Sequence, residues 1–341
     1  MSALRAPFPW FGGKRRAASI VWSALGDPSG YVEPFAGSAA VLLARPAFDG
    51  RRVETINDLD GWLVNMWRAI QHAPEMVARH ATGPVMEIDY HARLAWLQER
   101  RSDGLVSWLE GDPEAFDAKA AGWWLYVTAC GIGDPWGRGP WRIIDGRLQD
   151  TRALPHLGNA GRGVNRELPH LGNAGQGVNR ALPHLGDAGK GVEQYLIRLS
   201  QRLHRVRITC GSWARVVKPS VVRAGAGGDG SRAIFLDPPY ATSGDLYAAT
   251  SDGTDVAVEV RDWCVTAPAD LRVILCGYDD EHDSLLDVGW VKREGKSGGG
   301  AGYSTNAANG RRERLWLSPS CIGATSRQSS IFDHIDDEVG A

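Results

Sequence analysis

Cysteine is scarce in this chain, and the five present, Cys130, Cys210, Cys264, Cys276 and Cys321, are scattered with no CxxC pair among them. That spacing argues against a disulfide framework and against a thiolate metal site, so reduced, buried thiols and no bound metal are expected. Long apolar runs are missing as well. No stretch approaches the roughly 18 uninterrupted apolar residues of a membrane span, and the opening MSALRAPFPWFGGKRR lacks the apolar core of a secretory leader. A cytoplasmic protein with no membrane partner is expected. The chain also lacks a large net charge: 38 Lys and Arg against 40 Asp and Glu leave −2. Evenly spread, so small a charge would discourage a polyanionic partner. It is not evenly spread, because between Gly137 and Arg223 fifteen Lys or Arg stand against five Asp or Glu. One stretch can therefore meet a polyanion while the remainder is acidic, the competing reading being a solvated loop with no partner.

What is present is an ordinary globular composition, 43% hydrophobic and 23% charged over 341 residues, enough for one large domain or two smaller ones. Gly30 to Phe35 reads as a short buried strand ending in a Gly/Ser turn, Ala39 to Arg45 as a helix, and Val53 to Ile56 as a second strand ending at Asn57-Asp58. Strand, helix, strand in about thirty residues implies a βαβ unit and a parallel sheet. Helical patterns follow at Trp62 to Ile70, His91 to Arg100 and Ala115 to Thr128, which suggests an inserted helical region. The α/β rhythm returns with a helix at Tyr195 to Leu203, strands at Val206 to Cys210 and Ala233 to Leu236, a helix at Val256 to Thr266, and strands at Arg272 to Cys276 and Arg314 to Leu317.

Between Ala153 and Gln194 the sequence repeats three times with a period of 14: ALPHLGNAGRGVNR, ELPHLGNAGQGVNR, ALPHLGDAGKGVEQ. One Pro and three Gly per unit favour successive turns or a projecting loop over helix or central strand. His156, His170 and His184 recur once per unit without a nearby acid or thiol, a poor metal set. Arg162, Arg166, Arg180 and Lys190, with Asn165 and Asn179, suit phosphate or base-edge contacts, and Arg138 and Arg142 open the same basic stretch. A surface loop lengthened by duplication explains the repeats equally simply.

Asp237-Pro238-Pro239-Tyr240 closes an apolar strand, where open α/β sheets bind ligands. The prolines fix the backbone and remove two amide donors, leaving carbonyls free to accept. An exocyclic aromatic amine is a poor nucleophile because its lone pair is delocalised. The Asp237 carboxylate and the Pro238 carbonyl could accept both of its hydrogens and turn that lone pair towards a methyl donor, while Tyr240 offers a face for the base. Glu33-Pro34-Phe35-Ala36-Gly37-Ser38 is a second strand end, whose small residue and helix amides suit close approach of a ligand carboxylate. Asp58 lies about twenty residues on, where an acid can accept from ribose hydroxyls or cap a helix.

Taken in order, these residues resemble the D12-class, Dam-type DNA adenine-N6 methyltransferases. Pro9-Trp10-Phe11-Gly12-Gly13-Lys14 is similar to that family's Trp-x-Gly-Gly-Lys element, Val32 to Gly37 to its cofactor motif, Asn57 to Asp60 to its ribose acid, and Asp237 to Tyr240 to its catalytic motif. The resemblance implies a Rossmann-like methyltransferase sheet with an inserted, mainly helical and loop-rich target-recognition region. It implies S-adenosyl-L-methionine as cofactor, held by Trp10, Gly13, Lys14, Glu33, Pro34, Phe35, Gly37, Asp58 and Asp237. DNA is the implied partner, with a cognate restriction endonuclease left open, and the base is flipped for direct methyl displacement. The Gly-rich loop Gly295 to Gly302, with Tyr303, Ser304, Arg311 and Arg312, resembles the family's segment near that base, an ordinary hairpin connection being the alternative. Two departures stand out: Ala39 replaces a usual glycine of the cofactor loop, and the triple repeat matches no usual recognition domain. The expected organisation is a discontinuous catalytic domain of residues 1–60 and 193–320, an insertion of 61–192, and a disordered tail of 321–341. Transfer to an RNA or protein amine, or a non-catalytic DNA-binding relative, are the rival functions.

Overall fold

The computed structural model describes residues 4–8, 10, 13–46, 52–100, 104–131, 141–144, 147–150, 190–223, 230–239, 256–295 and 312–324. In 141–144 and 147–150, and at Lys190 and Arg223, only the backbone is described. Its centre is a seven-stranded sheet in the order β5 (Val206–Cys210), β2 (Val53–Asp58), β1 (Gly30–Glu33), β6 (Arg232–Leu236), β7 (Arg272–Tyr278), β9 (Glu313–Leu317), β8 (Val291–Glu294). The first five run parallel, β9 is antiparallel to β7, and β8 is antiparallel to β9. The chain builds outward from β1 through β2 to β5, then returns to β6 on the other side of β1. Strand order therefore reverses between β1 and β6, which opens a crevice at their carboxyl ends.

β6 shows how the sheet is covered. Ala233 and Phe235 enter one apolar cluster, and Ile234 and Leu236 enter another, as the two-residue alternation of a strand requires. The first cluster joins α1 (Ala18–Leu25) and α2 (Ala40–Leu43) to α3 (Gly61–His72), α4 (Pro74–Ala81), α5 (Glu87–Arg100), α7 (Ala118–Cys130) and α8 (Lys190–Leu203). The second holds α10 (Val256–Thr266) and Trp316 against the opposite face. Arg68 of α3 ties the first layer to the sheet, donating to the carbonyls of Ile208 on β5 and Leu109 on α6 (Leu105–Gly111).

Several element boundaries move for local reasons. α7 starts at Ala118 because the Asp117 side chain accepts from the Ala120 amide at 2.9 Å, and Asp60 caps α3 in the same way through Trp62. The helix expected from Ala39 to Arg45 shrinks to α2, since Ala39 itself is left-handed at φ 49°. α1, α4, α6, α9 (Pro219–Arg223), β8 and the hairpin of β3 (Trp141–Ile144) with β4 (Arg147–Asp150) were not expected from pattern. Residues 325–341 of the expected tail lie outside the described residues, but its first four do not. Cys321 and Ala324 are buried and the Ile322 amide donates to Ala24 of α1, so residues 321–324 belong to the packed body and not to a disordered tail. All five cysteines are buried. Among the described residues no helix is long and apolar enough to cross a membrane, and no group of three or more metal-type side chains could hold a metal ion.

The parallel strands bury charge as well as carbon. Glu54 on β2 receives Arg45 at 2.9 Å and Arg202 of α8 at 2.6 Å, so the loop after α2, the sheet and α8 share one ion network. Glu33 at the end of β1 is 2% exposed; its carboxyl accepts from the Tyr31 hydroxyl at 2.7 Å and from the Leu42 backbone. Burial pushes that carboxyl up from 4.5 to about 8, against those hydrogen bonds. A raised acid favours the folded chain fully below its ordinary pKa and loses that contribution as pH climbs through the folded value. Thermal denaturation should show a midpoint that falls between pH 4.5 and about 8; Glu33→Gln should flatten that decline, whereas an unchanged slope would place the titration elsewhere.

Candidate active site at the strand ends

Three chain segments meet where β1, β2 and β6 end. Gly37 lies just beyond β1 with φ 48°, a left-handed conformation that glycine adopts without strain. Each side of it is held. Its amide donates to Asp58 Oδ2 at 2.9 Å, its carbonyl accepts from Trp67 Nε1 at 3.0 Å, and a Cβ there would stand 2.6 Å from Trp10 Nε1. Trp10 in turn packs edge-on against Phe8, which also meets Trp67 and Trp124. The N-terminal segment is thus pinned over the loop after β1 by an aromatic cluster.

Asp58, the last residue of β2, accepts from Gly37 and from the Asp60 amide at 3.0 Å. Burial raises its carboxyl from 3.8 to about 6, opposed by those amides. The Gly37 amide is therefore engaged with Asp58. Asn57 braces the same edge, donating to the carbonyls of Pro34 at 3.0 Å and Gly211 at 2.8 Å. Phe35 stacks on Trp213 with ring centroids 6.1 Å apart, and Trp263 meets Trp213 edge-on, so an aromatic wall stands beside the ends of β1 and β5.

Asp237 follows β6 directly, one-fifth exposed, with Pro238 buried and Pro239 half-buried. Lys14 reaches it from the N-terminal segment: Nζ lies 3.0 Å from Asp237 Oδ1 and 2.8 Å from Glu313 Oε1. Burial alone would push this ammonium down, but the two carboxylates hold it well above its ordinary value, and it stays charged. The structure thus brings together Trp10, Gly37 and Asp58 around one loop and joins Lys14 to Asp237, with Gly13 exposed and Phe35 on the aromatic wall. Glu33 faces inward beneath α2 and holds that helix.

Other expected residues lie elsewhere. Arg312 pairs with Asp279 at 2.6 Å and covers the Tyr278 ring, so its charge is met within the chain. Arg142 sits on β3 opposite Gln149, and Lys190 opens α8. Tyr240, Arg138, Arg162, Arg166, Arg180, Arg311, Tyr303, Ser304, residues 153–189 of the repeats and 296–302 of the Gly-rich loop fall outside the described residues. Sequence reasoning missed Asn57 as a brace, the Phe8, Trp67, Trp213 and Trp263 rings, and Glu313. Glu313 had one signal, its place directly before the expected final strand.

With this geometry in view, comparison with protein families gives one finding: residues 10–90 match the family model of D12 class N6 adenine-specific DNA methyltransferases. The matched span takes in Trp10, Lys14, the loop after β1 and Asp58, and stops well before Asp237. It supports a methyltransferase enzyme with DNA as substrate, and the mostly parallel seven-stranded α/β sheet is consistent with a Rossmann-like methyltransferase fold. A comparison with curated proteins finds no match.

The Gly37 seat carries a direct test. Gly37→Ala would add a Cβ against the Trp10 indole and force an L-residue into a left-handed conformation that costs about 1–3 kcal/mol. The thermal midpoint should drop accordingly and the tryptophan emission should shift as Trp10 leaves its place. A variant with unchanged midpoint and emission would mean that the loop does not depend on this contact.

Proposed function

We propose that this protein transfers a methyl group from S-adenosyl-L-methionine to the N6 amine of an adenine flipped out of DNA. The observation that carries the proposal is the ion pair of buried Lys14 with Asp237, which locks the N-terminal element to the strand-end acid beside the crevice where strand order reverses. The residues at hand fit the cofactor: Asp58 ends the neighbouring strand with a carboxylate, and Phe35 with Trp213 offers a flat apolar wall. When bound, the cofactor supplies an electrophilic methyl group on a sulfonium centre.

The chain's residues do the remaining work. Asp58 accepts from ribose hydroxyls, its orientation set by the Gly37 and Asp60 amides. Trp10 and Gly13 close the loop after β1, and the wall of Phe35 and Trp213 takes a purine face. Asp237 and the Pro238 carbonyl accept the two hydrogens of the target amine, which turns its lone pair out of the ring and offsets charge developing on nitrogen. Tyr240 stacks on the everted base. Transfer is a direct displacement, so rate comes chiefly from alignment. Residues 61–192 form the target-recognition region, and its repeats reach the DNA backbone through Arg162, Arg166 and Arg180, with Arg138, Arg142 and Lys190 beside them.

Sequencing of modified bases in DNA from cells expressing the chain should reveal N6-methyladenine at a fixed sequence, and its absence would sink the proposal. Asp237→Ala should abolish transfer while cofactor binding by calorimetry persists; near-normal activity would remove Asp237 from the chemistry. Neutralising Arg162, Arg166 and Arg180 together should weaken DNA binding and lower the slope of log affinity against log salt by roughly 2.7, at about 0.9 for each phosphate no longer neutralised. An unchanged slope would mean that the repeats do not touch phosphate.

A further inference from the structure

The Lys14 cluster contains a carboxylate that neither the strand-end motif nor the N-terminal element explains. β9 runs antiparallel to β7 with Glu313 opposite Tyr278. Its first residue therefore stands at the edge of the sheet where the parallel strands end, the edge that Asp237 occupies after β6. Lys14 lies between the two carboxylates, 2.8 Å from Glu313 Oε1 and 3.0 Å from Asp237 Oδ1, with the Lys14 and Glu313 side chains only 4% and 7% exposed.

A lone Lys14–Asp237 pair would be neutral, and the ammonium would compete for the lone pairs that Asp237 needs as an acceptor. The second carboxylate changes both terms. It holds the ammonium from the far side, which fixes where Lys14 meets Asp237. It also leaves the cluster, one cation and two anions, with a net negative charge in a site where burial amplifies charge. We infer that Glu313 is a positioning residue for methyl transfer, acting through Lys14 to orient Asp237 and keep it an effective acceptor. The inference rests on the function proposed above. Glu313 need not touch either substrate.

The test is steady-state methyl transfer to DNA by the full chain and by Glu313→Gln, Glu313→Asp, Lys14→Met and the Glu313→Gln/Lys14→Met double variant, with thermal midpoints measured alongside. Glu313→Gln should lower kcat by roughly 10- to 100-fold, the scale of losing one aligned electrostatic partner, with KM for DNA and cofactor and the midpoint little changed. Glu313→Asp, which keeps the charge, should recover part of the loss. On the Lys14→Met background Glu313→Gln should cost nothing further, because the route from Glu313 to Asp237 is already gone. Wild-type kcat in Glu313→Gln, a loss confined to KM or midpoint, or losses that multiply in the double variant would each overturn the inference. If Glu313→Gln does not fold, Glu313→Asp decides: its shorter reach must lower kcat at an unchanged midpoint, and full kcat overturns the role. A wild-type chain that methylates no DNA would instead sink the underlying function and this inference with it, whereas an active wild type with a fully active Glu313→Gln sinks the inference alone.

Discussion

A buried ammonium held between two carboxylates is the constraint around which this end of the molecule is arranged. Taking Lys14, Asp237 and Glu313 out of water costs several kcal/mol per ion, and mutual attraction offsets that only when geometry is good. Apolar residues of similar volume would often serve stability as well. What an apolar replacement would not do is hold a carboxylate at a defined point at the end of β6. The cluster links the N-terminal segment, β6 and β9, three parts of the chain distant in sequence, at the crevice where a ligand would enter. Its value is in positioning.

That crevice follows from topology. Because strand order reverses between β1 and β6, the loops leaving those strands diverge and open a space above the sheet. The Gly37 loop lines one side. With its amide on Asp58, its carbonyl on Trp67 and its Cα beneath Trp10, the loop is fixed by three separate elements and has little freedom to rearrange. Ala39 sharpens the point. It is left-handed and fully buried, so the strain of a positive φ is carried by an alanine that packing holds in place.

The sequence made the α/β frame legible, because β1, β2, β5, β6 and β7 are short apolar runs with clear turn signals, and both strand-end motifs could be marked on them. Asp58 was legible from its distance beyond Gly37. Three kinds of feature were not. α2 was overextended because nothing in the sequence shows Ala39 leaving the helical region. β8, Val291–Glu294, has no two-residue alternation of apolar and polar residues, so only pairing with β9 reveals it. Glu313 looked like one charge in the polar run Gly310 to Arg314, and its burial comes from an antiparallel strand that returns it to the site, a long-range consequence that local pattern does not carry.

Charge counted along a sequence is not charge presented at a surface, and the basic stretch from Gly137 to Arg223 shows why. Arg202 belongs to that count, yet it is spent on buried Glu54 and the Leu42 carbonyl. Arg215 pairs with Glu110 and the Cys210 carbonyl. Outside the stretch, Arg312 is taken by Asp279 in the same way. Each pairing removes a cation from any polyanion that approaches, because a guanidinium already held by a carboxylate releases little further energy on meeting a phosphate. In the earlier part of the stretch, Arg138, Arg162, Arg166 and Arg180 stand among glycines and prolines with few acids nearby in sequence, and they lie outside the described residues. A basic excess counted along the sequence therefore overstates the charge that the described part of the stretch can offer a polyanion.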